Sequence, residues 1–325
     1  MAGPENTWDD ALSLQEVGEA VALAEILPLL PAAPLASLGP GDDAAVLATS
    51  DGRVVISCDM MIEGPDFRTD WSTMADVGYK AIASNAADIA AMGATPTGFE
   101  IAVAAPAGAT LGDVRQLARG FAEGIQAMTP GAGVLGGDLS RAPVWTIAVT
   151  VIGDLAGRAP VTRSGARPGD ILAVSGELGL SHEGLTVLRG AKGAAEIRVA
   201  LAHPAAQHHL RPTPPIAKGV VAADAGATAM MDISDGLVLD ARRMANSSTV
   251  SLHLDPGLVW STHALFGGED HGLLACFPRE ESLPPSFRRI GWVRARQDDT
   301  AVFLEGTDLQ ASLGGWDPFA AKDAK

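Results

Sequence analysis

The chain alternates short apolar runs with longer segments of helical period, and this alternation stops and restarts once. "RVVISCDMM" (53–61) is predicted as a strand, "STMADVGYKAIASNAADIAAMGA" (72–94) as an alanine-rich helix closed by Gly93, and "GFEIAVAA" (98–105) as a second strand. "LGDVRQLARGFAEGIQAM" (111–128) has helical period, and "VWTIAVTVIGDL" (144–155) reads as a long strand. "AGRAPVTRSGARPGD" (156–170), rich in Gly, Pro and Arg, then interrupts the pattern as a linker. Beyond it come a strand at 171–176, a helix at 180–190 with Ser181 as N-cap, a helix at 214–226, a strand at 227–234, a helix at 236–248 and a strand at 250–255. Strand-like runs recur at "GLLACF", "RRIGWVR" and "TAVFLEG". Such alternation predicts an α/β or α+β protein. The length of 325 residues allows two cores, in domains spanning 1–158 and 159–325.

Charge narrows the partners. Against 39 acidic residues stand 23 Lys and Arg, a net charge of −16. Nucleic acid and anionic membranes both require a cationic surface, so neither is an expected partner. A phosphate ligand would need a cation to offset the repulsion, and a divalent metal is the natural candidate. The only cysteines, Cys58 and Cys276, form neither a disulfide framework nor a zinc cluster, which predicts a reducing compartment. "MAGPENTWDD" has no signal-peptide pattern, and Glu25, Pro28, Pro31 and Pro34 break the apolar stretch from Ala20 to Leu38 too often for a bilayer span. A soluble, cytoplasmic protein is expected.

Acidic residues recur at strand ends and beside glycines. They are Asp42 and Asp43 in "GPGDDAAVL", Asp59 in "VVISCDMM", Asp88 in "SNAADIAAMGA" and Asp138 in "VLGGDLSR". Asp232 and Asp235 follow in "MMDISDGL", then Glu269 and Asp270 in "FGGEDHGLL". Singly, each is an ordinary turn or cap residue. As a set they suit a hard cation such as Mg²⁺, which takes carboxylate oxygens and bridges to phosphates. Asp59 and Asp88 lie within apolar segments, where an unpaired carboxylate is costly and a shared metal removes the cost. Asn85 and Asp88, three apart, share a helix face, so a buried polar site is expected there. Ser234 or Asp235 can cap the helix that follows them. The same turn offers backbone N–H groups and the positive end of a helix dipole to a phosphate.

Other signals are weaker. "GAGVLG" (131–136) matches GxGxxG in letters, but its glycines precede a strand instead of joining a strand to a helix. Neither a GxxxxGK[ST] loop nor a protein-kinase signature occurs. Arg163 and Arg167 read as linker charges, and Arg163 also suits bidentate phosphate contact. His208 and His209 are expected at the surface. No nucleophile–base triad is recognisable, so neither a covalent nucleophile nor a dedicated catalytic base is expected.

The motifs join in one order: "GPGDDAAV", "SCDMMIEG", "YKAIASNAADIAAMGATP", "GGDLSR", "TRSGARPGD", "VSGELGLSHEGL", "HLRPTPP", "DISDGL", "GGEDHGLL" and "GGWDPF". From Gly39 to Phe319 the chain resembles the thiamine-monophosphate kinases, a branch of the superfamily of aminoimidazole ribonucleotide synthetase, selenophosphate synthetase and a hydrogenase maturation protein. The resemblance implies a two-domain aminoimidazole ribonucleotide synthetase-like fold, with an N-terminal mixed sheet that pairs across a homodimer and a C-terminal α/β domain. ATP and several Mg²⁺ ions would lie in the cleft between the domains. Asp43, Asp59, Asp88, Asp138 and Asp232 would ligate magnesium, with Ser57 and Cys58 lending oxygen and Asp235 holding a further ion. Cys58 stands where a hydroxyl residue is usual, so its backbone carbonyl would serve. Gly137, Asp138, Arg163 and Ser234 would contact ATP, and Asp66, Glu269 and Trp316 would face the substrate. Three departures stand out: Asp66 where a histidine is usual, His182 and Glu183 in place of small residues, and a shortened stretch between Asp255 and Gly267.

The implied reaction passes the ATP γ-phosphate to thiamine monophosphate, giving thiamine diphosphate and ADP. The acceptor is a phosphate oxygen already ionised at neutral pH, so catalysis reduces to in-line positioning and charge neutralisation by Mg²⁺. The cationic thiazolium ring would suit an acidic pocket with Trp316 as a cation–π face. Two rival readings stay open: a diverged superfamily member that activates another substrate as a phosphate, and a nucleotide-binding regulator without turnover.

Overall fold

The computed structural model describes residues 8–40, 44–258, 260–297, 299 and 301–309, so Asp43 and Trp316 lie outside the described residues. The chain forms two compact units, Met1–Ala86 with Pro96–Asp154, and Ala87–Thr95 with Leu155–Lys325. The division after Asp154 falls four residues before the predicted boundary, and the segment Ala87–Thr95 joins the second unit.

The first unit runs through α1 (Leu14–Val17), α2 (Glu19–Ile26), β1 (Ala36–Leu38), β2 (Val46–Leu47), β3 (Val55–Ile62), α3 (Met74–Ala91), β4 (Thr95–Ala105), α4 (Leu111–Met128), β5 (Gly133–Arg141) and β6 (Thr146–Asp154). Its four-stranded sheet has the order β3-β6-β4-β5, with β3 antiparallel to β6 and β4 parallel to β5. α4 begins where the Thr110 hydroxyl accepts the Asp113 N–H and the Asp113 carboxylate accepts the Thr110 N–H, a reciprocal cap. Its stripe of Leu111, Val114, Leu117, Phe121 and Ile125 is buried, as the helical period predicts. Arg115, 1% exposed on the same helix, pairs with Asp10 and Glu25 and so fixes the N-terminal segment. α3 and α4 cross at glycine: a methyl on Gly120 would sit 2.1 Å from the Ala75 carbonyl oxygen. One face of the sheet is core, with Ile147, Val149 and Val151 fully buried. On the other face Ile56 and Met60 are 62% and 58% exposed.

The second unit contains β7 (Ile171–Ser175), α5 (Leu180–Gly190), α6 (Ala194–Ala200), α7 (Pro204–Leu210), α8 (Ile216–Asp224), β8 (Ala229–Ile233), α9 (Leu237–Ser248), β9 (Val250–Leu254), α10 (Thr262–Phe266), β10 (Gly272–Phe277), β11 (Arg288–Ala295), β12 (Val302–Leu304) and β13 (Thr307–Asp308). Its seven strands lie in the order β13-β12-β9-β11-β7-β10-β8, and among these neighbours β12 and β9 run parallel while the others are antiparallel. Every residue of β7, β8 and β10 is buried, which explains why these strands read as unbroken apolar runs. Leu172, Val174, Met231, Leu237, Met244, Leu252 and Leu274 share their core with α9. Each such side chain contributes about 1.5–3 kcal/mol by leaving water.

Ser181 is not the N-cap of α5. Gly179, in a left-handed conformation (φ 80°), holds that position, and the cap comes from far along the chain. The Asp270 carboxylate accepts the N–H groups of Gly179 (2.6 Å) and Ser181 (2.8 Å). The Ser181 hydroxyl meets His209 Nδ1 instead, at 3.0 Å. Among the described residues no helix is long and apolar enough to cross a membrane.

Candidate active site

In the first unit, the pleat of β3 puts Ser57 and Asp59 on the face shared with buried Met61, while Cys58 lies with Ile56 and Met60 on the other. The Cys58 thiol therefore points away from the Asp59 side, leaving only its backbone carbonyl for a metal there. Asp59 is exposed, because β3 is a sheet edge; the desolvation cost predicted for it does not arise. Asn85, 1% exposed, ties α3 to this point: its Oδ1 accepts the Asp59 N–H (3.1 Å) while its Nδ2 donates to the Ala81 carbonyl (2.9 Å). This is the buried polar contact expected around Asn85.

β5 carries the Gly-Gly-Asp motif. The β4–β5 register shifts between Phe99 and Glu100, so Leu135 is an extra residue that turns the strand just before Gly136, Gly137 and Asp138. Gly137 lies so close to β4 that a methyl group there would be 1.9 Å from the Ile101 carbonyl oxygen. Asp138 is exposed and accepts the Ser140 hydroxyl at 2.7 Å. Beside it opens a cavity of about 290 Å³, walled by Ile26, Leu30, Leu117, Ala118 and Phe121 and reaching Gly136–Asp138. The sequence did not disclose this cavity; the continuous stripe of α4 was its only signal. Asp66, expected at substrate, bends back onto its own strand, where its Oδ2 accepts the Ile62 N–H at 2.7 Å.

In the second unit, Asp232, the penultimate residue of β8, is 4% exposed, and its Oδ2 lies 3.2 Å from His271 Nδ1. Burial opposes charge on His271, yet the bond to Asp232 and the charges of Asp232, Glu269 and Asp88 outweigh it and hold the imidazole above its ordinary pKa. Asp88 is half-buried. Asp240, fully buried on the apolar face of α9, has its carboxyl pushed up to about 7, first by burial and then by the Asp232 charge. Ser234 and Glu269 meet through the backbone, Glu269 N–H donating to the Ser234 carbonyl at 2.8 Å. That approach needs Gly268, where a methyl group would stand 2.1 Å from the same oxygen. Glu269 and His271 both adopt positive φ, 68° and 53°. Asp235 pairs with Arg243, which also holds Asp240. Arg163 is exposed, and its carbonyl accepts the Ser248 hydroxyl at 2.7 Å.

The histidines correct a further expectation. His209 is 3% exposed, with Nδ1 3.3 Å from Glu269 Oε2, and His208 Nε2 lies 3.1 Å from Asp270 Oδ1. Both serve the Gly-Gly-Glu-Asp loop rather than solvent. His182, where small residues are usual, pairs with His263 through their Nδ1 atoms at 3.0 Å. Asp240, Arg243 and His271 join the site without having stood out in the sequence. An acid on the apolar side of "GLVLDARRM", among Leu237, Val238, Ala241 and Met244, was the available sign.

Asp240 gives a stability expectation. Its folded pKa lies above the unfolded value, so its contribution is full below about pH 4 and is lost as pH rises through about 7. In metal-free buffer the thermal midpoint should fall by several degrees between pH 5 and pH 8, and Asp240→Asn should flatten that component in a calorimetric series.

Asp59 and Asp138 thus lie within β3 and β5, the opposite edge strands of the first unit's sheet, while in the second unit Asp88 and Asp232 both act on His271. Among the described residues no three Asp, Glu, His or Cys side chains converge enough to enclose a metal alone. The donors are nevertheless of the right kind. Around Asp232 the acids Asp88, Asp235, Asp240 and Glu269 give an excess of negative charge, which suits a hydrated cation bridging to phosphate.

Residues 41–155 match the AIR synthase related protein, N-terminal domain, and residues 167–299 the corresponding C-terminal domain. The thiamine-monophosphate kinase of Mycobacterium tuberculosis is 40% identical over 96% of this chain and 94% of its own, and that of Corynebacterium glutamicum 38% over 86% and 88%. A solved structure described as AaThiL complexed with AMPPCP and TMP superposes with a TM-score of 0.72 at 29% identity, covering 96% of this chain and all of that one. Matched in both halves by the family models, and so similar to these relatives over almost its whole length, the chain belongs to the AIR synthase related proteins and, among them, to the thiamine-monophosphate kinases.

Proposed function

We propose that the protein transfers the γ-phosphoryl group of ATP to a phosphate oxygen of thiamine monophosphate, yielding thiamine diphosphate and ADP for thiamine diphosphate biosynthesis. The observation that carries this reading is the buried Asp232–His271 pair, 3.2 Å apart, with Glu269 and Asp88 adding to the negative field around it. In a family whose members include a structure with AMPPCP and TMP, that field supports an assignment to metal-bound phosphates. We assign Asp59, Asp88, Asp138 and Asp232, with Asp43, as magnesium ligands. Bound Mg²⁺ would supply charge neutralisation at the transferred phosphoryl group. The chain's own work is positioning. Asn85 fixes the backbone of Asp59, the extra residue in β5 presents Asp138, and His271 orients the Asp232 carboxylate. Arg163 and Ser234 are assigned to the phosphates, and Glu269, steadied by His209, to the cationic substrate. The acceptor oxygen is already ionised, so no residue is assigned as base.

The cavity beside Gly137 is assigned to the adenine ring, its largely apolar walls suiting a purine. Ala118→Met would fill it without opening the core. Binding of a non-hydrolysable ATP analogue by calorimetry should weaken about tenfold or more, a loss of ~1.4 kcal/mol; unchanged affinity would move the base elsewhere. The exposed face of β3, with Ile56 and Met60, is assigned to pairing with a second copy. Met60→Asp should turn a dimer into a monomer in sedimentation, and an unchanged mass would remove that face from the interface. Two free cysteines, one exposed, support a cytoplasmic setting. Formation of thiamine diphosphate from ATP and thiamine monophosphate tests the reading as a whole.

A further inference from the structure

We propose that Arg243 is a built-in cation that takes the place of the metal expected at Asp235, so that Asp235 ligates no divalent ion. The inference rests on the magnesium reading above and narrows it. Arg243 Nη1 lies 2.5 Å from Asp235 Oδ2 and 2.7 Å from Asp240 Oδ1, so one nitrogen bridges both carboxylates. The Asp235 N–H donates to Asp240 Oδ2 at 2.9 Å, closing the group into a ring. The Asp240 side chain is fully buried, and among the described residues Arg243 is the only cation paired with it. A metal that drew Asp235 away would break this ring and would have to displace a cation already bonded to the Asp235 carboxylate, leaving Arg243 to Asp240 alone. The guanidinium stays charged at every working pH and its planar fork is suited to carboxylates, so it neutralises Asp235 permanently.

The test counts bound Mn²⁺, with Mn²⁺ alone as probe, by electron paramagnetic resonance titration. Arg243→Gln should bind one more Mn²⁺ per chain than the native protein, Arg243→Lys the native number, and Arg243→Gln with Asp235→Asn the native number again. No gain in Arg243→Gln overturns the proposal. Should that variant not fold, Asp235→Asn alone decides: an unchanged count supports Arg243 as the resident cation, and loss of one ion overturns it. Asp232→Asn, measured alongside, reads the magnesium assignment separately. If its count equals the native one, that assignment fails, while the counts of the Arg243 variants still decide whether a guanidinium holds Asp235.

Discussion

Asp232→Asn should lower kcat about 10³-fold, since a metal's charge stabilisation is worth several kcal/mol and each 1.36 kcal/mol is a factor of ten. The change keeps the side chain's size and an oxygen able to accept from His271, so the end of β8 has no reason to move. What disappears is the charge. His271 keeps that hydrogen bond and loses the charge that raises it, and Asp240 loses one of the charges that raise it, so the variant is expected to be at least as stable as the native chain. That pairing of lost rate with retained stability separates a ligand from a structural acid. Steady-state kinetics beside a thermal melt checks it, and a near-native rate would remove Asp232 from the metal set.

Gly137→Ala is the second large effect. The added methyl would meet the Ile101 carbonyl at 1.9 Å and its carbon at 2.9 Å, both backbone atoms of the paired strand β4. No rotamer relieves a clash with backbone, so β5 must separate from β4 at the Gly-Gly-Asp motif. Overpacking typically costs about 1–3 kcal/mol, and an immovable obstacle places this case at the upper end. For domains of 150–250 residues each kcal/mol shifts Tm by roughly 2–4 °C. Calorimetry should show that drop together with weaker binding of an ATP analogue, because Asp138 and the cavity floor move with the strand. A native Tm and affinity would mean the ladder tolerates the methyl group.

These two sites were unequally legible in the sequence. Asp232 and Gly137 both stand out there, because an acid ending an apolar run and a Gly-Gly-Asp step are local patterns. α4 is legible to the residue, its reciprocal cap and apolar stripe lying within one segment. What failed depended on contacts from far along the chain. Ser181 has the chemistry of an N-cap, but Asp270, 89 residues on, supplies the cap. His209 is a polar residue buried because Ser181 and Glu269 satisfy it. Asp59 sits in an apolar run, yet the strand's position at a sheet edge leaves it and its apolar neighbours exposed. The extra residue in β5 had no local signature, and α6 and α7 were too short to show a period. Asp235 read as a cap or ligand from its motif, and only folding revealed that Arg243, one turn beyond Asp240, already holds it.

Phosphoryl transfer to a phosphate acceptor is tested most directly by identifying the products. The purified protein is incubated with ATP, Mg²⁺ and thiamine monophosphate, and the products are resolved by chromatography. Thiamine diphosphate and ADP should appear in equal amounts, and the reaction should stop when the metal is chelated. ADP with inorganic phosphate in place of thiamine diphosphate would point to activation of another substrate. No product above the enzyme-free background would contradict the claim outright.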